Sequence, residues 1–441
     1  AASGRCGAVR QNCRVTSDAR PDDQALPTAS DIEDAAARLV GVVRRTPLER
    51  CERLSEAHGA EVWLKREDLQ PVRSYKLRGA YNLISQLTAE ERAAGVLCAS
   101  AGNHGQGVAL ACSTLGIAGR IYVPSTTPRQ KRDRMRKLGG DQVDLVISGD
   151  TYDEASLNAK RAAERSGATV VPAFDDARTI AGQGTVAVEL VEQFLAETGD
   201  VPDTLLVPVG GGGLLAGCLT WLAERHPGVR VVGVEPSGAA CLTAALHAGD
   251  PVDLRRVDTF VDGAAVRRAG RLTFAVARRH GASMISVPEG RICSEMLALY
   301  QTDGIIAEPA GALATAALGL YQPRPGERVV AIVSGGNNDV SRYSEIVERS
   351  LVYEGRKHYF LVNFPQEPGA LRRFLDEVLG PDDDITLFEY VKRSNRESGP
   401  ALVGIELGDP ADYPALLDRM EASPMTVEVV APDSPFYRFL V

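Results

Sequence analysis

No stretch of this 441-residue chain is apolar over anything near the roughly 20 residues that a membrane-spanning helix requires. The longest apolar runs, such as Leu205–Val209 and Val329–Val333, are strand-sized and end in glycine or polar residues, so no membrane association is expected. Cysteine motifs are also missing. The eight cysteines form no CxxC pair and no Cys/His ligand spacing, which favours reduced thiols in a cytoplasmic protein over disulfides or a metal site. Nor is there an excess of positive charge: a formal net charge of −9 leaves no general basic footprint for nucleic acid. The one basic cluster, Arg129-Gln-Lys-Arg-Asp-Arg-Met-Arg-Lys137, follows the helix-start pair Thr127-Pro128 and reads as the solvated face of a helix.

What is present is an alternation of strand-like and helix-like runs from Asp31 to about Val347, the pattern of an α/β fold on mostly parallel sheets. Strands are expected at Val96–Ser100, Ile121–Val123, Leu145–Ile147, Leu205–Val209, Val231–Val234 and Val329–Val333. The first three, with helices at Asn103–Leu115 and Pro128–Leu138, suggest a smaller lobe at about 57–175 within a two-lobed domain at 29–345. Residues 1–28, which include Pro21 and Pro27 and show little periodicity, read as a mobile tail, and 346–355 as a linker. From 356 to 441 the order becomes strand (Lys357–Asn363), helix (Ala370–Leu379), two strands (Ile385–Tyr390 and Ala401–Leu407), helix (Ala411–Met420) and strand (Met425–Val430), which is a ferredoxin-like α+β module.

Three separated segments carry chemistry. Lys76 follows the strand-like Glu61–Leu64 and a Pro-broken polar loop, and opens a helix running to about Leu87. A helix start facing a cleft favours the neutral amine, the form that condenses with a carbonyl, although these residues alone fit a surface lysine equally well. Gly210-Gly-Gly-Gly213-Leu214 joins a strand to a helix and leaves backbone N–H groups free to surround a phosphate. The same run meets a loose dinucleotide fingerprint, with Glu235 ending the next strand, but that reading leaves Lys76 and Ser334 unexplained. Ser334-Gly-Gly-Asn337 delivers a hydroxyl at the C-terminal end of a buried strand, where open parallel sheets bind ligands. A carbonyl-reactive lysine, a phosphate cup and a lone hydroxyl together describe a site for pyridoxal 5'-phosphate (PLP).

Ser74-Tyr-Lys76-Leu-Arg-Gly79, Ser100-Ala-Gly-Asn-His-Gly-Gln-Gly107, Gly210–Leu214 and Ser334–Asn337 occur in that order over roughly residues 30–345. They resemble the signature segments of the threonine dehydratases (threonine ammonia-lyases), fold-type II PLP enzymes built of two α/β lobes. The resemblance implies that Lys76 carries the cofactor as a Schiff base and removes the substrate's Cα proton. It also implies that Asn103 hydrogen-bonds the phenolic oxygen, that Gly210, Gly211, Gly212, Gly213 and Leu214 bind the phosphate, and that Ser334 faces the pyridine nitrogen. A neutral hydroxyl there makes the ring a weaker electron sink than a carboxylate would, which favours expulsion of a β-hydroxyl. Ser100, Ala101, Gly102, Asn103 and His104 would hold the substrate carboxylate at a helix start. His104 reads as structural, since Lys76 already supplies the base.

The implied reaction is deamination of L-threonine, and more weakly L-serine, to 2-oxobutanoate (pyruvate) and ammonia, the first step of isoleucine biosynthesis. Serine racemase, also a serine dehydratase, is the nearest alternative. Relatives that racemise have serine just before Gly-Asn-His where this chain has Ala101, and their metal site has a second carboxylate where this chain has Cys241. A non-catalytic amino-acid sensor is the other alternative, and an intact Lys76 counts against it. Phe364-Pro-x-x-Pro-Gly-Ala-Leu371 resembles the ACT-like regulatory domains of biosynthetic threonine dehydratases, and one such domain fits in 356–441. There Pro368, Gly369 and Leu371 would line a pocket for isoleucine, with valine opposing it, completed by a neighbouring subunit of a homotetramer or homodimer.

Overall fold

The computed structural model describes residues 26–390 and 397–431 together with Ser434, Tyr437 and Leu440. In chain order the strands begin with β1 (Leu48–Arg50) and β2 (Glu61–Arg66), followed by β3 (Val96–Ala99), β4 (Gly119–Val123), β5 (Val143–Ile147) and β6 (Thr169–Val170). Then come β7 (Thr204–Pro208), β8 (Arg230–Pro236), β9 (Ser283–Val287) and β10 (Arg328–Val333), and last β11 (Lys357–Pro365), β12 (Asp384–Tyr390), β13 (Ser398–Glu406) and β14 (Thr426–Val429). The larger sheet runs β1-β2-β10-β7-β8-β9 and is parallel except for β1; the smaller runs β5-β4-β3-β6 and is parallel throughout.

The apolar runs explain this layering. Along β10, Val329, Ala331 and Val333 enter one core while Val330 and Ile332 enter the other. A strand with helices over both faces must be apolar at every position, which is why these segments read as runs rather than alternations.

Three expected boundaries need correction. β2 pairs in parallel with β10, from Glu61 against Arg328 to Arg66 against Val333, so it belongs to the larger sheet; the smaller lobe begins with the helix Lys76–Ser85, not near 57. The expected tail ends earlier than 28. Thr28 caps the helix Ala29–Leu39, its hydroxyl accepting from the Asp31 N–H at 3.3 Å and its N–H donating to the Asp31 carboxylate at 2.8 Å. The remainder of that tail, residues 1–25, lies outside the described residues. The expected linker is mostly helix: Tyr343–Tyr353 packs on Glu289–Gln301, with the Ser294 and Ser350 hydroxyls 3.0 Å apart.

The C-terminal sheet is antiparallel in the order β12-β13-β11-β14, as a ferredoxin-like module requires. Its first helix is one α-turn, Ala370–Arg373, widening into a π-turn at Phe374–Val378. Cys51, Cys98, Cys112, Cys218, Cys241 and Cys293 are buried and unpaired. Among the described residues no helix is long and apolar enough to cross a membrane.

A buried ionic cluster anchors the Lys76–Ser85 helix. Arg78 donates to both Glu67 oxygens at 2.9 and 2.8 Å, to Glu189 at 2.8 Å and to the Thr185 hydroxyl at 3.2 Å, while Lys65 reaches Glu189 at 2.6 Å. Taking away one partner leaves the others charged and away from water. Arg78→Met is therefore expected to lower the unfolding free energy by about 3–5 kcal/mol, read from urea midpoints, and to cost far more than the same change at exposed Arg129. A loss below about 1 kcal/mol would contradict a closed cluster.

Candidate active site

Lys76 sits where two of the predicted segments are knitted together. Arg73 takes a left-handed backbone, φ 56°, a costly conformation for a residue other than glycine. It turns the chain so that Ser74 bridges to Gly335, the Tyr75 N–H reaches the Ser334 carbonyl at 3.2 Å and the Gly336 N–H reaches the Arg73 carbonyl at 2.9 Å. The lysine segment and the serine segment are thus held backbone to backbone. Beyond them Lys76 opens its helix, and Nζ donates to the Ala173 carbonyl at 3.1 Å beside a cavity of about 560 Å³, a usual size for a small-molecule site. Burial pulls the amine down to about 8, with Glu308 acting in the opposite direction.

The Ser100–His104 segment reaches the same cavity because a glycine lets two helices touch. A Cβ on Gly107 would lie 3.0 Å from the Lys76 carbonyl. The first bond of the Asn103–Leu115 helix runs from the Gln106 N–H to the Gly102 carbonyl at 3.2 Å, so the N–H groups of Asn103, His104 and Gly105 precede any helical acceptor. His104 is buried; its Nε2 lies 2.7 Å from the Val171 carbonyl, and burial, reinforced by Lys76, holds the ring at about 4. A neutral ring donating to a backbone carbonyl is a strut between helix and sheet.

The glycine run forms the opposite wall. Gly212 has φ 93°, a Cβ on Gly210 would lie 3.0 Å from the Ala264 Cα, and one on Gly211 would overlap the Phe174 ring. Helical bonding in Gly213–Arg225 starts only at the Ala216 N–H, which donates to Gly212 at 2.8 Å, leaving the N–H groups of Gly213, Leu214 and Leu215 for an anion. PLP fits this set: a half-buried amine on one wall, a side-chain-free cradle of N–H groups on the other, and an unpartnered buried atom at His104 Nδ1 in the lining.

Lys76, Ser100, Ala101, Gly102, Asn103, His104 and Gly210–Leu214 therefore share one cavity. Ser334 is not in its lining; its buried hydroxyl donates to the Ala310 carbonyl at 3.1 Å. Pro368, Gly369 and Leu371 lie in the C-terminal module, where Gly369 (φ 90°) turns the chain into the short helix and Leu371 is 44 % exposed. Glu235 accepts from the Leu242 N–H, the Thr243 N–H and the Thr243 hydroxyl at 2.7, 2.9 and 2.6 Å.

Sequence reasoning missed several cavity residues: Phe174, Glu308 and a large-lobe loop around Val257–Arg268. Glu308 precedes Pro309 at a helix start, so its sequence reads as a cap. Burial pushes its carboxyl up to about 7, and Asp262 adds to the effect. Lys131, in the basic cluster read as solvated, instead pairs with Asp262 at 2.7 Å, and both line the cavity.

The family described as pyridoxal-phosphate dependent enzyme matches residues 39–335, and the C-terminal regulatory domain of threonine dehydratase matches 348–440. The chain is 61 % identical over 416 residues to the biosynthetic L-threonine dehydratase IlvA of Mycobacterium tuberculosis, covering 94 % of this chain and 96 % of that protein. It is 48 % identical over 420 residues to the protein of the same description from Bacillus subtilis, covering 95 % and 99 %. Among solved structures, the processed threonine deaminase isoform 2 of Solanum lycopersicum superposes with a TM-score of 0.67 at 39 % identity, over 74 % of this chain and 95 % of that one. Maize serine racemase gives 0.67 at 30 % identity, over 75 % and 99 %.

A lysine amine at about 8 gains its neutral form well below the pH at which an exposed lysine, near about 10.4, does so. In cofactor-free protein, labelling of Lys76 by a small amine-reactive reagent, followed by peptide mass, is expected to rise about tenfold per pH unit up to about pH 8 and then level off. Labelling that climbs steadily to about pH 10 would mark an ordinary lysine.

Proposed function

The chain belongs to the PLP-dependent threonine dehydratases that carry a C-terminal regulatory domain, and from that premise we propose that it deaminates L-threonine to 2-oxobutanoate and, more slowly, L-serine to pyruvate, as a feedback-regulated cytoplasmic step toward isoleucine. The observation that carries the reading is the half-buried Lys76 amine facing a cavity walled by two helix starts. When bound, PLP supplies the electron sink that acidifies the substrate's Cα–H. Lys76 would hold it covalently, Gly210–Leu214 its phosphate and Asn103 its phenolic oxygen, while Ser334, whose hydroxyl donates to the Ala310 carbonyl, would have to turn from it to offer the ring nitrogen a neutral hydroxyl.

Within the Ser100–His104 segment, the N–H groups of Asn103 and His104 at the helix start bind the substrate carboxylate and turn Cα–H toward Lys76. Lys76, neutral in a useful fraction near pH 8, takes that proton. The β-hydroxyl leaves as water, its added proton balanced by the one removed from Cα, and the water regained on hydrolysis balances that loss, so the net products are the 2-oxo acid and ammonia. Ala101 lines the cavity with a methyl group, so the opposite face has no hydroxyl there to return a proton, and racemisation is disfavoured.

Control belongs to the C-terminal module, with Pro368, Gly369 and Leu371 at an isoleucine pocket, valine opposing, and a second copy completing it in a homodimer or homotetramer. Contacts support coupling to the cavity. Lys357 Nζ and Tyr359 Oη of β11 both reach Glu348 at 2.5 Å. Glu348 lies in the Tyr343–Tyr353 helix, and Arg349 of that helix, with Arg342 just before it, brackets the Phe260 ring at 4.4 and 4.7 Å. Phe260 adjoins Thr259 and Asp262 in the cavity wall.

Incubation with L-threonine should release a 2-oxo acid, Lys76→Ala should fall below about 1 % of that rate, and L-serine should give pyruvate without D-serine. No 2-oxo acid, or D-serine formed as fast as pyruvate, would sink the catalytic reading. Isoleucine should raise the half-saturating threonine concentration about 5–150-fold, a coupling of about 1–3 kcal/mol. A chain ended at Gly355, which keeps the Tyr343–Tyr353 helix, should ignore it. Equal indifference in the full chain would sink the regulatory reading.

A further inference from the structure

Asn103 is fixed in one orientation by groups from the other lobe. Asn337 Nδ2 donates to the Val72 carbonyl at 2.8 Å and to Asn103 Oδ1 at 2.7 Å. A backbone carbonyl only accepts, so Asn337 must present its NH₂ group to Val72 and, with it, to Asn103. Asn103 must then turn its oxygen toward Asn337 and its own NH₂ toward Glu308, whose Oε1 accepts at 2.5 Å. Flipping the Asn103 amide would set oxygen against carboxyl oxygen at one end and NH₂ against NH₂ at the other.

Glu308 is built into this position. It is 5 % exposed, its N–H donates to the Gly335 carbonyl at 3.1 Å, and its own carbonyl accepts from the Gly311 and Ala312 N–H groups at 2.8 and 3.0 Å. A Cβ on Gly335 would overlap its Oε1, so the turn after Ser334 leaves space for this carboxyl. Burying a carboxyl is costly, and the proton transfer assigned to Lys76 makes no use of it.

We propose that Glu308 is a positioning residue that holds the Asn103 amide so that the remaining Nδ2 proton faces the phenolic oxygen of bound PLP. The proposal rests on the reading of Asn103 as the partner of that oxygen. Glu308 lines the cavity wall, and its proposed action on the cofactor runs through Asn103.

The test uses full-length holoenzyme and the variants E308A, E308Q, N103A and E308A/N103A, with the PLP dissociation constant and the visible absorption band as readouts. E308A removes one of the two groups that orient the amide, leaving only Asn337, so PLP should bind roughly 10- to 100-fold more weakly and the band should move as it does in N103A. E308Q keeps an oxygen acceptor and should restore wild-type affinity to within about threefold, with the wild-type band. On the N103A background, E308A should add nothing, because the two act as one unit. Equal losses from E308A on both backgrounds would overturn the proposal, and so would an E308Q as impaired as E308A. If N103A itself leaves affinity and band unchanged while threonine is still deaminated, the reading of Asn103 falls and the proposal with it, although the threonine reading stands.

Discussion

The structure turns on partly desolvating one lysine amine without pairing it to a carboxylate. Among the described residues Lys76 Nζ makes one hydrogen bond, to the Ala173 carbonyl, and burial brings it to about 8. An ion pair at the same place would have stabilised the charged, unreactive form. Two residues on, Arg78 shows the opposite treatment: more deeply buried than Lys76, it is surrounded by Glu67, Glu189 and Thr185. One helix thus carries a cation that anchors it and an amine left free to react.

That arrangement requires a cleft, and side-chain contacts join its two walls. Asn103 reaches Glu308 and Asn337, and Lys131 reaches Asp262, each joining the smaller lobe to the larger around the cavity. The same large-lobe loop carries Phe260, gripped by two arginines on the side facing the C-terminal module. A displacement of that module therefore has a packed route to the cavity wall.

The parallel strands were legible because a strand covered on both faces must be apolar throughout; each expected strand of the two lobes lies within two residues of its place. The motif glycines were legible for a related reason, since they mark where backbone meets backbone, as Gly107 meets Lys76. Glu308 was not legible. Its bond to Asn103 spans 205 residues and depends on how two turns pack, and a glutamate before a proline has an ordinary local explanation as a helix cap. β2 was assigned to the wrong lobe because pairing with β10 leaves no trace in local pattern. The helix across the expected linker escaped notice because only Ile346 and Ser350 of it are fully buried.

The claim that Lys76 is the attachment point of the cofactor is tested most directly by reducing the holoenzyme with borohydride and mapping the peptides by mass. One pyridoxyl adduct per chain is expected, on Lys76, with simultaneous loss of the visible absorption band. An adduct on any other lysine, or a band that persists with no adduct, would contradict it.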